Sequence, residues 1–130
     1  MATVRHHIRI AAPADEVWKV VSDAPGIAAW FGPIAKASAT PTGRVVVLGD
    51  GTEIDEDTVT NDPALRRFQY TIKSGLPVEH HIGTFDVLDD GAGSLVIYSA
   101  DVRPDELGPI FTEVMGQGIR GLKDYCEARR

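Results

Sequence analysis

Apolar and polar positions alternate from the first residues of the chain. Over residues 3–11, Val4, His6, Ile8 and Ile10 fall on one side and Arg5, His7 and Arg9 on the other. A period of two with one apolar side marks a half-buried strand. The period changes at Pro13, which suits a first helical position. Asp15 and Glu16 follow in the first turn, where the helix dipole favours anions. Val17, Trp18, Val20 and Val21 supply the apolar stripe. Pro25 disfavours helical geometry at Ala24, so this helix should end near Asp23. A second short helix is expected over residues 25–31, stopping at Gly32-Pro33.

Six short strands are then predicted, over residues 34–40, 44–49, 53–60, 66–74, 79–88 and 94–102. Turn signals separate them: Pro41-Thr42-Gly43, Gly49-Asp50-Gly51, Asn61-Asp62-Pro63, Gly75-Leu76-Pro77 and Asp89-Asp90-Gly91. These gaps suit antiparallel hairpins, and none holds the helix that a parallel crossover needs. One long helix is predicted over residues 105–128, with Leu107, Phe111, Val114, Met115, Leu122, Tyr125 and Cys126 at helical spacing. Asp105 reads as its N-cap, and Arg129 and Arg130 lie at its C-terminal end. The expected fold is α+β: a seven-stranded curved antiparallel sheet gripping a long C-terminal helix, with two short helices between strands 1 and 2. One helix cannot fill the hollow of so large a sheet, which predicts a cavity between them.

Composition narrows the choice of partner. The chain has 130 residues, which fits one domain over residues 1–130, and 43% of them are hydrophobic, enough for a core without disulfides. Thirteen Lys and Arg against 19 Asp and Glu give a net charge of −6, a poor match for nucleic acid or an anionic membrane surface. No apolar stretch reaches the length of a membrane span, and the N-terminus lacks a signal-peptide pattern. Cys126 is the one cysteine, so a disulfide within the chain and a cysteine-based zinc site are excluded. The expectation is a cytoplasmic protein without metal or cofactor.

The residues resemble the SRPBCC superfamily, the START-like helix-grip fold, and within it the polyketide cyclase/dehydrase-like branch. The resemblance spans nearly the whole chain. It rests on Ile10-Ala11-Ala12-Pro13-Ala14-Asp15-Glu16-Val17-Trp18, on residues 23–30 and on Asp50-Gly51-Thr52-Glu53-Ile54-Asp55-Glu56. Asn61-Asp62-Pro63, Arg67-Phe68-Gln69-Tyr70-Thr71-Ile72, Pro77 and Gly91-Ala92-Gly93-Ser94 continue it. It implies a hydrophobic ligand cavity under the long helix but no single activity, since members include carriers, sensors, cyclases and hydratases. Fold alone does not assign function.

Trp30 and Phe31 are expected at the cavity mouth, whereas Trp18 resembles a packing tryptophan of the family. Tyr70 alternates in phase with Phe68 and Ile72, and Tyr98 with Val96 and Ala100, so both should face inward. Phe111, Met115 and Leu122 make the inner stripe of the last helix. Glu56 is in phase with Ile54. It either enters the cavity as an acid or base or belongs to the solvated acidic run Glu53, Asp55, Asp57. His6 and His81 are the inward histidines by phase, and they are either catalytic groups or hydrogen-bonded core residues. Neither His6-His7 nor His80-His81 has metal-ligand spacing for a strand. Four glycines in the last helix, Gly108, Gly116, Gly118 and Gly121, suggest close packing, cavity space or mobility. Cys126 reads as a small packing residue.

Three functions remain open from sequence. The first is binding of a small hydrophobic or amphipathic molecule, in a pocket of roughly 300–1,000 Å³. The second is a cyclase or dehydratase using acid–base residues of that pocket. The third is a ligand-tuned regulatory or interaction protein.

Overall fold

The computed structural model describes residues 1–129. Strand β1 (Ala2–Ile10) leads to helix α1 (Ala14–Val21) and a 3-10 helix (Ala24–Ala29). Then come β2 (Ile34–Ala39), β3 (Gly43–Leu48), β4 (Glu53–Asp62), β5 (Arg67–Ser74), β6 (His80–Asp90) and β7 (Gly93–Arg103). A single 3-10 turn (Asp105–Leu107) precedes α2 (Gly108–Ala128). The seven strands form one antiparallel sheet in the order β1-β7-β6-β5-β4-β3-β2. All neighbours except β1 and β7 are joined by hairpins, so the sheet is a meander whose first strand returns to pair with its last. Helix α2 packs chiefly on β1, α1 on β6 and β7, and the 3-10 helix on β2 and β3.

Three details of the helix ends depart from the sequence reading. Pro13 caps α1 from outside in an extended conformation (φ −58°, ψ 146°) and its carbonyl accepts from Glu16 and Val17. The second helix has 3-10 geometry and ends at Ala29. Asp105 caps nothing; its carboxylate pairs with the Met1 ammonium at 2.8 Å, and Pro109 at the start of α2 restricts the regular helix to Gly108 onward. Arg129 sits at the α2 C-cap, where its guanidinium donates to the Tyr125 hydroxyl; Arg130 lies outside the described residues.

The core follows the strand alternation. Phe68 and Tyr70 on β5, Phe85 and Val87 on β6, and Val96, Tyr98 and Ala100 on β7 all point inward and are buried. Trp18 joins them from α1. Two register shifts between β4 and β5, at Asp55/Glu56 and Thr58/Thr60, bend the sheet where it must curl. Gly83 on β6 makes room for the Tyr70 ring, from which a Cβ there would stand 2.6 Å.

Two of the α2 glycines, Gly118 and Gly121, serve close approach of the segment after the 3-10 helix. A Cβ at Gly121 would meet the Trp30 carbonyl oxygen at 2.0 Å, and one at Gly118 the Phe31 ring at 2.2 Å. The helix can therefore lie directly on Trp30 and Phe31, which wedges its far end away from β3 and β4.

Candidate functional site

That wedge leaves a cavity of about 130 Å³ between the sheet and the first half of α2. Its walls are mostly apolar: Val46, Ile54 and Ile72 from the sheet, Phe31 from one side, and Phe111 and Met115 from the helix. Tyr70 and Tyr98 form its floor. Their hydroxyls are hydrogen-bonded to each other, and both rings are buried. Tyr98 stacks on Phe85, ring centroids 3.8 Å apart. Burial pushes both tyrosine pKa values up, so neither is a ready acid.

Glu56 faces this cavity and is not on a solvated face; it is only 6% exposed. The partner that makes this tolerable is Arg44, itself 3% exposed. Arg44 Nε donates to Glu56 Oε1 at 2.7 Å, and Nη1 donates to the Ala24 carbonyl at 2.9 Å. The guanidinium lies over the Tyr70 ring, 5.0 Å from its centroid, a favourable place for a cation. Burial raises the Glu56 pKa and the neighbouring Arg44 charge opposes the rise.

Arg44 escaped the sequence reading, although a signal for it exists. The turn at Gly49-Asp50-Gly51 is centred on Asp50, and Gly51 has the positive φ (91°) that such a turn requires. A hairpin symmetric about that point sets Val46 opposite Ile54 and Arg44 opposite Glu56, which is the register found. Two opposite charges on the inward phase of paired strands form a buried ion pair.

The remaining candidates lie elsewhere. Trp30 is buried against Phe31 and Phe85 and does not line the cavity. It borders a separate polar hollow between α1 and the end of α2, together with Cys126. Cys126 is buried, and its thiol pKa is pushed up to about 11, as expected of a packing residue. His6 is half-buried and bonds through Nε2 to the Thr112 carbonyl at 2.8 Å, fastening β1 to α2 outside the cavity. His81 lies one layer behind the wall, between the rings of Tyr70 and Phe111. Its Nδ1 accepts from the Ile72 backbone N–H at 3.2 Å, which puts the ring proton on Nε2. Leu122 is fully buried core below the cavity. Among the described residues, no cluster of three or more His, Cys, Asp or Glu is placed to hold a metal ion.

An apolar cavity with a buried ion pair thus lies between the seven-stranded sheet and the long helix, and the sequence that builds it matches a known family. The model of the family described as "Polyketide cyclase / dehydrase and lipid transport" covers residues 1–127. The chain belongs to this family. No curated protein matches significantly in sequence. Among solved structures, the protein XoxI from Bacillus cereus superposes with a TM-score of 0.90 at 23% identity, over 97% of this chain and 96% of that one. The Zhui aromatase/cyclase from Streptomyces sp. R1128 gives 0.80 at 24% identity, over 98% and 94%. A START superfamily protein from Mycobacterium smegmatis gives 0.75 at 18% identity, over 98% and 95%. At these identities the likeness is one of fold. In this member of the polyketide cyclase/dehydrase family, no described helix is long and apolar enough to cross a membrane.

Proposed function

We propose that the protein binds a small hydrophobic or amphipathic molecule in the cavity between the curved sheet and α2. The observation that carries this reading is the cavity itself: apolar walls from the sheet, the Phe31 segment and α2, with polar groups confined to one ion pair and one tyrosine pair. Such a lining favours an apolar ligand through loss of hydrated surface, and the few polar groups orient it. At about 130 Å³ the space falls below the range expected from sequence. It is near the size of the engineered cavity of roughly 150 Å³ that takes up benzene, so one ring fits without rearrangement. Phe31, Tyr70, Tyr98, Phe111 and Met115 would then contact ligand, and Trp30 would support the wall through Phe31.

The cyclase or dehydratase reading has less support. Acid–base chemistry needs two titratable groups in reach of one substrate atom. Glu56 is the one carboxylate of the lining, it is held by Arg44, and both tyrosine pKa values are raised.

Titration with p-xylene, followed by amide and methyl NMR, tests the binding reading. The expected result is saturable shifts at Ile54, Ile72 and Met115, and none around Cys126 at the other hollow. Absence of saturable shifts at the cavity residues would overturn it.

A further inference from the structure

The cavity wall carries a hydrogen-bond acceptor without a protein partner. Glu56 Oε1 is taken by Arg44. Its second oxygen, Oε2, makes no hydrogen bond to the described residues and is not sealed off in the protein interior. Since Glu56 lines the cavity and is otherwise buried, Oε2 meets the cavity space. The Arg44 guanidinium offers the cavity nothing comparable. Nε and Nη1 are engaged, and Nη2, which has no partner, is buried beneath the surface.

We propose that the ligand is a compact, uncharged apolar molecule carrying one hydroxyl group, a phenol or an alcohol, whose O–H donates to Glu56 Oε2. The inference rests on the binding reading above and specifies the ligand class for the same cavity. A pure hydrocarbon or a ketone would strip water from Oε2 and return no donor, which leaves a buried acceptor unsatisfied. A carboxylate would place a second negative charge beside Glu56 in a medium of low dielectric. An ammonium would leave an uncompensated positive charge beside Arg44. A neutral hydroxyl changes no net charge and supplies the missing donor. The Arg44 contacts to Glu56 and Ala24 fix the carboxylate before ligand arrives, so its orientation costs little on binding.

The test compares p-cresol, p-xylene and p-toluate on the intact protein and on the double variant Arg44→Met/Glu56→Leu. The double change is used because Arg44→Met alone would strand a buried carboxylate, whereas replacing both charges with apolar groups of similar volume is commonly tolerated. Hydration differences between the probes cancel when the p-cresol to p-xylene affinity ratio is compared between the two proteins. A hydrogen bond to a charged acceptor predicts that this ratio is higher in the intact protein by about tenfold or more. A crystal structure of the intact protein with p-cresol gives a readout independent of the variant's folding, and should place the phenol oxygen within hydrogen-bond distance of Oε2. An equal ratio in both proteins, tighter binding of p-toluate than of p-cresol, or a phenol oxygen turned away from Glu56 each overturns the hydroxyl proposal while the cavity reading stands. If neither p-cresol nor p-xylene binds the intact protein, the cavity reading fails and the hydroxyl proposal falls with it.

Discussion

His81 stands where a strand carbonyl would ordinarily receive the Ile72 N–H. The ladder between β5 and β6 runs from Arg67 opposite Asp86 to Tyr70 opposite Gly83 and then opens. Beyond that point the imidazole Nδ1 takes the Ile72 N–H, and the Thr71 hydroxyl donates to the His81 carbonyl at 2.6 Å. This role requires a neutral ring. Burial, with a smaller contribution from His80, lowers the His81 pKa from 6.5 to about 4. The unfolded chain therefore takes up a proton below pH 6.5 that the folded chain refuses until near pH 4. The stability from neutral His81 is complete above pH 6.5 and is lost as pH falls toward 4, by on the order of 2 kcal/mol between pH 7.5 and pH 5. Urea unfolding at both pH values should show this loss in the natural protein and a smaller one in His81→Asn, whose amide oxygen can still accept from Ile72. Glu56, with its raised pKa, acts in the opposite sense in both proteins, so the difference isolates His81. Equal pH dependence in the two would remove His81 from this role. Phase along β6 was enough to predict that His81 points inward. Its partner was not legible, because the opening of a ladder is decided by how two strands diverge in space.

At the scale of elements, α2 illustrates how spacing is read and where reading stops. The apolar stripe Met115, Ile119 and Leu122 follows helical periodicity and is buried as such. The glycines between them weaken the helix by roughly 1 kcal/mol each relative to alanine. Gly121→Ala should recover that amount in helix propensity yet destabilise the protein. The added Cβ would stand 2.0 Å from a backbone oxygen that cannot move alone, and overpacking of this kind typically costs 1–3 kcal/mol. The expected net loss is up to about 2 kcal/mol, measured by thermal or urea unfolding; a gain in stability would show that the Trp30 segment is free to retreat. The β3–β4 hairpin is the opposite case. Its register follows from the turn centred on Asp50, so Arg44 against Glu56 could be derived from sequence once both strands are granted an inward phase.

For the whole molecule, cavity size is set by how α2 is propped. Phe31 and Trp30 hold the helix off the sheet at one end, and the lining residues near the other end are the least buried. Ile110 is 62% exposed, while Phe111 and Leu76 are half-buried. Tyr98 and Val46, at 1% exposure each, form the closed end. A ligand larger than one ring should therefore enter by moving the first turns of α2 and the turn at Leu76, leaving the floor in place. With 2-naphthol, amide shifts are expected to extend through residues 108–114 and 74–78, whereas p-cresol should perturb the lining alone. Shifts spread evenly over α1 and β1 instead would mean that the sheet and not the helix yields.

The sequence by itself determined the strand and helix order, the antiparallel sheet, the inward faces of β5 and β7 and the expectation of a hollow under the last helix. These are local properties: a period of two or of 3.6, and turns whose glycines and prolines bend the chain whatever surrounds them. Tertiary structure decided the rest. It turned Glu56 inward beside Arg44, because a buried carboxylate is tolerable only next to a cation contributed by another strand. It set His6 to fasten β1 to α2 and His81 to bridge β5 and β6, and it moved Trp30 behind Phe31, because these outcomes depend on which elements come to lie side by side. It also set the cavity at about 130 Å³, a volume fixed by the distance at which two glycines let α2 rest on Trp30 and Phe31.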